Sequence, residues 1–449
     1  MIRSFPREAG PRGRRHLLAA RAAAARATAP RATAVLAIAA LALAAAGCGA
    51  TATTSASPPG AASHEPGPPG LDWATADVER PAGMDATPPS IPPVGAGGGL
   101  GHPGHFASQG NPYDVAAVGD RLVAVGYTFP DFVPVTWTTT DPNRHHWTLA
   151  GLPASSDGVF AYAIAAGATS GPTAGRVAIV GRDNNDAAAW TSADGASWEP
   201  AGGGSALVET PETGMTTVVA GPDGFIAGGW AGALNQPGAP RFWASPDGRT
   251  WTRLSSANAG SAGRVQSIAA GPGGFVAVGT VGPVGHPATS AVWTSADGVD
   301  WRRVADAPTL AKGAMASVTA GGPGYVAVGS ALDSKAALVW LSADGRTWEL
   351  APAQDSLEYH GLGITMADVI AGPDQLVAVG HFLFGQQFGQ GTAWTSPDGR
   401  TWTRMPDEAS FGQGEPQAVI PDGSGYVATG TVGAPDNYIP TVWLSPSNR

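Results

Sequence analysis

The chain has 449 residues, a formal net charge of −10, one cysteine, 64 glycines and 40 prolines. One cysteine excludes an internal disulfide scaffold, and the glycine and proline content describes a turn-rich, helix-poor protein. Eight of the 25 basic residues but only one of the 35 acidic ones lie in the first 47 positions, which leaves the rest near −17 and argues against a nucleic-acid backbone as partner.

Residues 1–47 carry Arg3, Arg7, Arg12, Arg14, Arg15, Arg21, Arg26 and Arg31, then an uncharged run from Ala32 to Gly47. A basic start, a short apolar stretch and small residues at its end predict an export signal. The apolar run is 16 residues, shorter than the roughly 20 that a spanning helix needs. Its end, Leu43 to Cys48, resembles a bacterial lipobox, with Ala45 where leucine is usual. That resemblance implies acylation of Cys48 and anchoring to the outer face of the cytoplasmic membrane. Ordinary signal-peptidase cleavage at the same alanines is the alternative, and gives a secreted protein. Arg14 and Arg15 also resemble a twin-arginine signal, so Sec and Tat export both stay open.

Residues 48–70 are a Ser/Pro/Gly tether too poor in large apolar residues to fold. A short island follows, Leu71 to Val78, containing Trp73. A Pro/Gly-rich loop then runs over 81–112. Its His102 and His105 have no carboxylate nearby in sequence and read as solvated, so no metal or other cofactor is expected.

From Trp137 onward one pattern recurs. WTSADGASW (Trp190 to Trp198) returns as WASPDGRTW (Trp243), WTSADGVDW (Trp293), WLSADGRTW (Trp340) and WTSPDGRTW (Trp394), with degenerate copies at Trp137 and Trp443. The period is about 50 residues, as in propellers and solenoid arrays. Asp-Gly between runs of alternating polarity is a hairpin signal, since Gly supplies positive φ and Asp bonds the local backbone. The turn pairs are Asp194 and Gly195, Asp247 and Gly248, Asp297 and Gly298, Asp344 and Gly345, and Asp398 and Gly399. Two more strands precede each hairpin, as in ASVTAG and GYVAVGS of the fifth repeat. Four strands in each of seven repeats predict an all-β, seven-bladed propeller over residues 71–449.

The Ser-x-Asp-Gly-x-Thr-Trp motif of Ser245 to Trp251 resembles the Asp-box, or BNR, repeat of sialidase-like β-propellers. The resemblance covers residues 113–449 and implies a fold; in that family the box is a structural turn remote from ligand. Trp73 is left over when tryptophans are assigned to repeats. DWATADV therefore matches the missing outer strand of the last blade, and residues 71–79 are expected to complete it, which would remove an open sheet edge.

The variable loops share one end of such a ring, which marks that end as the working face. Each second strand ends on glycine. The residues that follow include Tyr127, Arg182, Trp230 and His381, candidates to pair with a carboxylate, stack on a ring or donate a hydrogen bond. Asp114 and Asp368 occupy equivalent positions in blades 1 and 6 and form a candidate acid pair or loop-amide acceptors. Sialidases carry an Arg-Ile-Pro motif and an arginine triad. The motif is absent here, and Arg249, Arg302, Arg346 and Arg400 fall in the turns and outer strands. No Walker-type loop, nucleophile elbow or metal-ligand cluster occurs. The expectation is a monomeric, lipid-anchored binding or assembly module for a glycan, peptide or protein partner, with no catalytic residue assigned. A sialidase-like glycoside hydrolase or lyase is the alternative, for which no carboxylate pair is selected by sequence.

Overall fold

The computed structural model describes residues 71, 73–80 and 111–445, apart from the loop segments 129–131, 155–157, 169, 234–235, 283–287, 360–362, 385–387, 406–410, 413 and 434–437. The predicted signal, tether and proline-rich loop, with Cys48, His102 and His105, lie outside the described residues.

The protein is a seven-bladed β-propeller of antiparallel blades. Blade 5 shows the plan: an inner strand A (Gly313–Gly321), strand B (Gly324–Ala331), strand C (Ala337–Ser342) and a short outer strand D (Glu349–Leu350). The turn between C and D is built as its residues dictate. The Ser342 hydroxyl accepts the Gly345 amide at 2.9 Å, the Asp344 carboxylate accepts the amides of Arg346 and Thr347, and Gly345 takes φ 71°. Those amides hold the Asp344 carboxyl below its usual range. The same hydroxyl-to-glycine bond recurs at Ser192, Ser245, Ser295 and Ser396.

Cores lie between blades, one apolar cluster to each of the seven seams. Each contains both tryptophans of the later blade: Trp243 and Trp251 against blade 2, Trp293 and Trp301 against blade 3, Trp394 and Trp402 against blade 5. The indole N–H of the first tryptophan bonds a carbonyl of the incoming connection, as Trp340 does to Thr309 and Trp394 to Ser356.

In blades 1 to 6 the residue two places after the trailing tryptophan pairs with the leading one, as Arg404 does with Trp394 and Arg303 with Trp293. At the chain's end Trp443 pairs with Thr75, two places after Trp73. Ala74–Thr75 is the fourth strand of that sheet, and Trp73, 2% exposed, packs in the seam between blades 6 and 7 against Phe411 and donates to the Met405 sulfur. The island does more than the sequence suggests. Asp77–Val78 leaves blade 7 and runs parallel to strand D of blade 1, His146–Gly151, where the Glu79 carbonyl accepts the Trp137 indole. Ala74–Thr75 pairs with the last blade and the Ala76 amide bonds the Val442 carbonyl at 2.9 Å, whereas Asp77–Val78 already belongs to blade 1.

Trp73→Ala is expected to cost about 3–5 kcal/mol, the range for deleting a buried Trp side chain, and to match Trp402→Ala in chemical denaturation. A loss under about 1 kcal/mol would mean that the seam is held without it.

Candidate functional site

Every inner strand carries one extra residue. The ladder between strands A and B slips at Tyr113, Tyr162, Thr216, Gln266, Ala316, Ala367 and Gln417 in blades 1 to 7. Such a bulge bends the strand and re-aims its side chains. All seven bulge residues are half-buried on the innermost strands, along the central channel.

The bulge explains the glycine of strand B. A Cβ on Gly181, Gly229, Gly279, Gly329, Gly380 or Gly430 would stand 1.8–2.1 Å from the carbonyl oxygen of the strand A residue two places before the bulge. Only a residue without a side chain lets the backbones approach there. Gly279→Ala is therefore expected to destabilise by more than about 2 kcal/mol. Gly151→Ala, whose Cβ meets nothing within 4 Å, should change stability by less than about 0.5 kcal/mol. Equal effects of the two in thermal melting would contradict this reading.

Just beyond the bulge, side chains tie blade to blade. Asp114 accepts the Ile164 amide at 2.9 Å, Ser267 accepts that of Val318 at 3.2 Å, and Asp368 accepts that of Val419 at 3.0 Å and the Ser317 hydroxyl at 2.7 Å. Asp114 and Asp368 thus bond strand amides of the following blade, and they lie within electrostatic reach of each other. Burial pushes the Asp114 carboxyl up to about 7, with Asp368 adding to the shift against the Ile164 and Val115 amides. Burial likewise raises Asp368.

The fold holds a proton on Asp114 that the unfolded chain gives up above about pH 4, so this group's contribution falls as pH rises from about 4 through 7 and is constant above. Asp114→Asn removes the loss. Its melting midpoint should move upward relative to wild type between pH 5 and pH 8, and an unchanging difference would contradict the assignment.

Around the mouth, the residues after the strand B glycines pair with the start of strand A: Tyr127 with Asn111, Arg182 with Phe160, Trp230 with Gly214 and His381 with Thr365. Tyr127 is 1% exposed, under an aromatic group in which its hydroxyl meets that of Tyr113 at 2.9 Å and its ring stands edge-on to Phe160. Tyr162 is parallel to Phe160, and the Arg182 guanidinium lies 5.4 Å from the Phe160 ring centre. Trp230 is covered by the Arg264 guanidinium at 4.1 Å. His381 is buried apart from these, in blade 6; burial lowers its basicity against the pull of Glu415, and its Nδ1 has no hydrogen-bond partner. The structure therefore groups Tyr127 with Arg182, and Asp114 with Asp368, but does not bring all six candidates to one point. The Ser-x-Asp-Gly turns occupy the opposite end, where Gly298 stands against Ile226 of blade 3.

Tyr113, Tyr162, Glu212 and Arg264 are not among the residues that the sequence singles out. Among the described residues Arg264 is the only arginine that opens an inner strand. Among the described residues no group of three or more His, Cys, Asp or Glu side chains is placed to hold a metal.

No protein-family model matches the chain, and no curated protein matches it. Similar solved structures include YCF48 bound to a D1 peptide, 14% identical with a TM-score of 0.48 over 76% of this chain and 93% of that one. The Pseudomonas aeruginosa periplasmic gluconolactonase PpgL is 12% identical, with a TM-score of 0.46 over 69% and 88%. The Trypanosoma rangeli sialidase in complex with the inhibitor DANA is 12% identical, with a TM-score of 0.43 over 66% of this chain and 56% of the sialidase, so the match takes in little more than half of that enzyme.

Proposed function

We propose that the chain is an extracytoplasmic binding or assembly module that presents the mouth of the propeller to a glycan, peptide or protein ligand. It is anchored to the outer face of the cytoplasmic membrane through Cys48, or released where Cys48 is not acylated. Pairing of the Trp73 strand with Trp443 latches the ring so that the mouth keeps its shape.

The observation that carries this reading is the asymmetry of the channel. Blades 1 and 2 project Tyr113 and Tyr162 from their bulges, while blades 5 and 6 have Ala316 and Ala367 at the same positions. Blade 7 packs on blade 1, so in a ring of seven the aromatic wall stands across from the alanine wall. Sevenfold packing alone requires no such difference, whereas a ligand entering from the mouth does. The turn end, by contrast, repeats one Ser-x-Asp-Gly solution through blades 2 to 6.

Catalysis is the second reading, as a sialidase-like glycoside hydrolase or lyase. It draws on Asp114, a carboxyl raised to about 7 within electrostatic reach of a second carboxyl, as a general acid requires. Binding is favoured over it because both carboxylates already accept amides of the next blade.

The purified full chain is to be melted against a panel of cell-wall sugars, glycosides, peptides and divalent cations. A ligand at about 100 times its Kd adds roughly 2.7 kcal/mol, a shift of a few degrees. The shift should vanish in Tyr162→Ala and survive in Asp344→Ala at the turn end. Turnover of a glycoside, lost in Asp114→Asn, would replace the binding reading with the enzymatic one.

A further inference from the structure

Three buried polar atoms converge on the mouth of blades 2 to 4. Arg182 lies near the end of strand B in blade 2, Val177–Asp183; Glu212 immediately precedes strand A of blade 3, Thr213–Gly221; and Arg264 opens strand A of blade 4, Arg264–Gly271. Arg182 Nη1 and Glu212 Oε2 are 3.8 Å apart, an ion pair too long to be a hydrogen bond. Arg264 is within electrostatic reach of both. The Nε of Arg182, the Oε2 of Glu212 and the Nε of Arg264 are all buried without a hydrogen-bond partner in the protein.

The chain satisfies the same chemistry elsewhere. Glu209 accepts from Arg241 Nε at 2.8 Å and from Arg253 Nη1 at 2.9 Å, a complete arginine–glutamate–arginine group. At the mouth the equivalent group is held open. Arg264 is pinned by Ala233 and Gln236 carbonyls at 2.9 and 3.1 Å and lies on Trp230, while Arg182 lies against Phe160. Neither guanidinium is placed to close on Glu212. Unsatisfied buried charged groups are costly, and fixing them beforehand lowers the cost of binding something that satisfies them.

We infer that Arg182, Glu212 and Arg264 form a binding site for an uncharged, hydroxyl-rich ligand, a neutral saccharide unit, at the mouth of blades 2 to 4. Charge and hydrogen-bond type select that class. A carboxylate satisfies the two arginine donors but meets Glu212, and an ammonium satisfies Glu212 but meets two cations. A hydroxyl accepts from one and donates to the other, so a ring that carries several hydroxyls offers partners to donors and acceptor alike. Tyr162, half-buried on the blade 2 bulge and within electrostatic reach of Arg182, supplies a ring face beside them. The inference rests on the binding reading above and narrows its ligand.

Methyl glucoside, glucuronate and glucosamine share one ring and differ in charge, and saturation-transfer NMR with the purified full chain compares them directly. Methyl glucoside should bind at least about tenfold more tightly than either charged sugar, because glucuronate leaves the buried Glu212 facing a like charge and without a donor, and glucosamine leaves both arginines so. Glu212→Gln should shift the preference to glucuronate, and Arg264→Gln should weaken methyl glucoside while the melting transition stays cooperative. Equal binding of all three, a wild-type preference for glucuronate, or no binding of any would overturn the inference. If none binds but another compound of the melting panel still shifts the midpoint, the saccharide assignment falls and the binding reading stands. If nothing shifts the midpoint, both fall.

Discussion

The burial of two tryptophans in every seam is the interaction on which the rest of this structure depends. A four-stranded blade is too thin to have an interior, so its apolar surface must be covered by its neighbours. The leading tryptophan on strand C and the trailing one before strand D both belong to that cover, and in blades 1 to 6 the turn between them places both. The Ser-x-Asp-Gly geometry sets where the second tryptophan re-enters the sheet, and the pairing two residues further on locks it. With no disulfide available within a chain of one cysteine, ring integrity is a matter of these seams. That is why the last seam recruits Trp73 from some 370 residues upstream of its partner Trp443.

A ring held from its outer parts leaves the inner strands free to carry irregularities. The bulge on each strand A is tolerated because strand B offers glycine beneath it, and it leaves each blade one half-buried residue outside the ladder. Seven positions become independently variable without disturbing the seams. Tyr113 and Tyr162 on one side and Ala316 and Ala367 on the other use that freedom, as do the side chains past the bulge that bond the next blade. The mouth is thus specified by substitutions at a few points on an otherwise repetitive scaffold, which is the arrangement expected where binding residues are mounted on a rigid frame.

The architecture was legible in the sequence because its signals are local. Tryptophan spacing, Asp-Gly turns and short alternating strands each report structure within ten residues, and their recurrence yields blade number and strand order. Trp73 stands out by elimination, as the tryptophan with no repeat to belong to. The candidate site was less legible. A single inserted residue leaves no trace in the alternation of a short strand, so the sequence pointed to Tyr127 and Trp230 after the strand B glycine, where the structure packs both beneath neighbours. The repeated glycine was visible but read as a strand ending, although glycine inside a strand equally marks close backbone approach. Glu212 and Arg264 could not be joined to Arg182 by sequence, since they meet only through the packing of three successive blades.

Native-state hydrogen exchange of the full chain tests the central claim, that seven equivalent tryptophan seams hold one ring. Strand B and C amides of blades 6, 7 and 1 should exchange only through the same global opening as those of blades 3 and 4, with matching free energies. Exchange from blades 7 and 1 at a distinctly lower free energy, while the other blades stay protected, would contradict it and show the ring to be open where the chain's two ends meet.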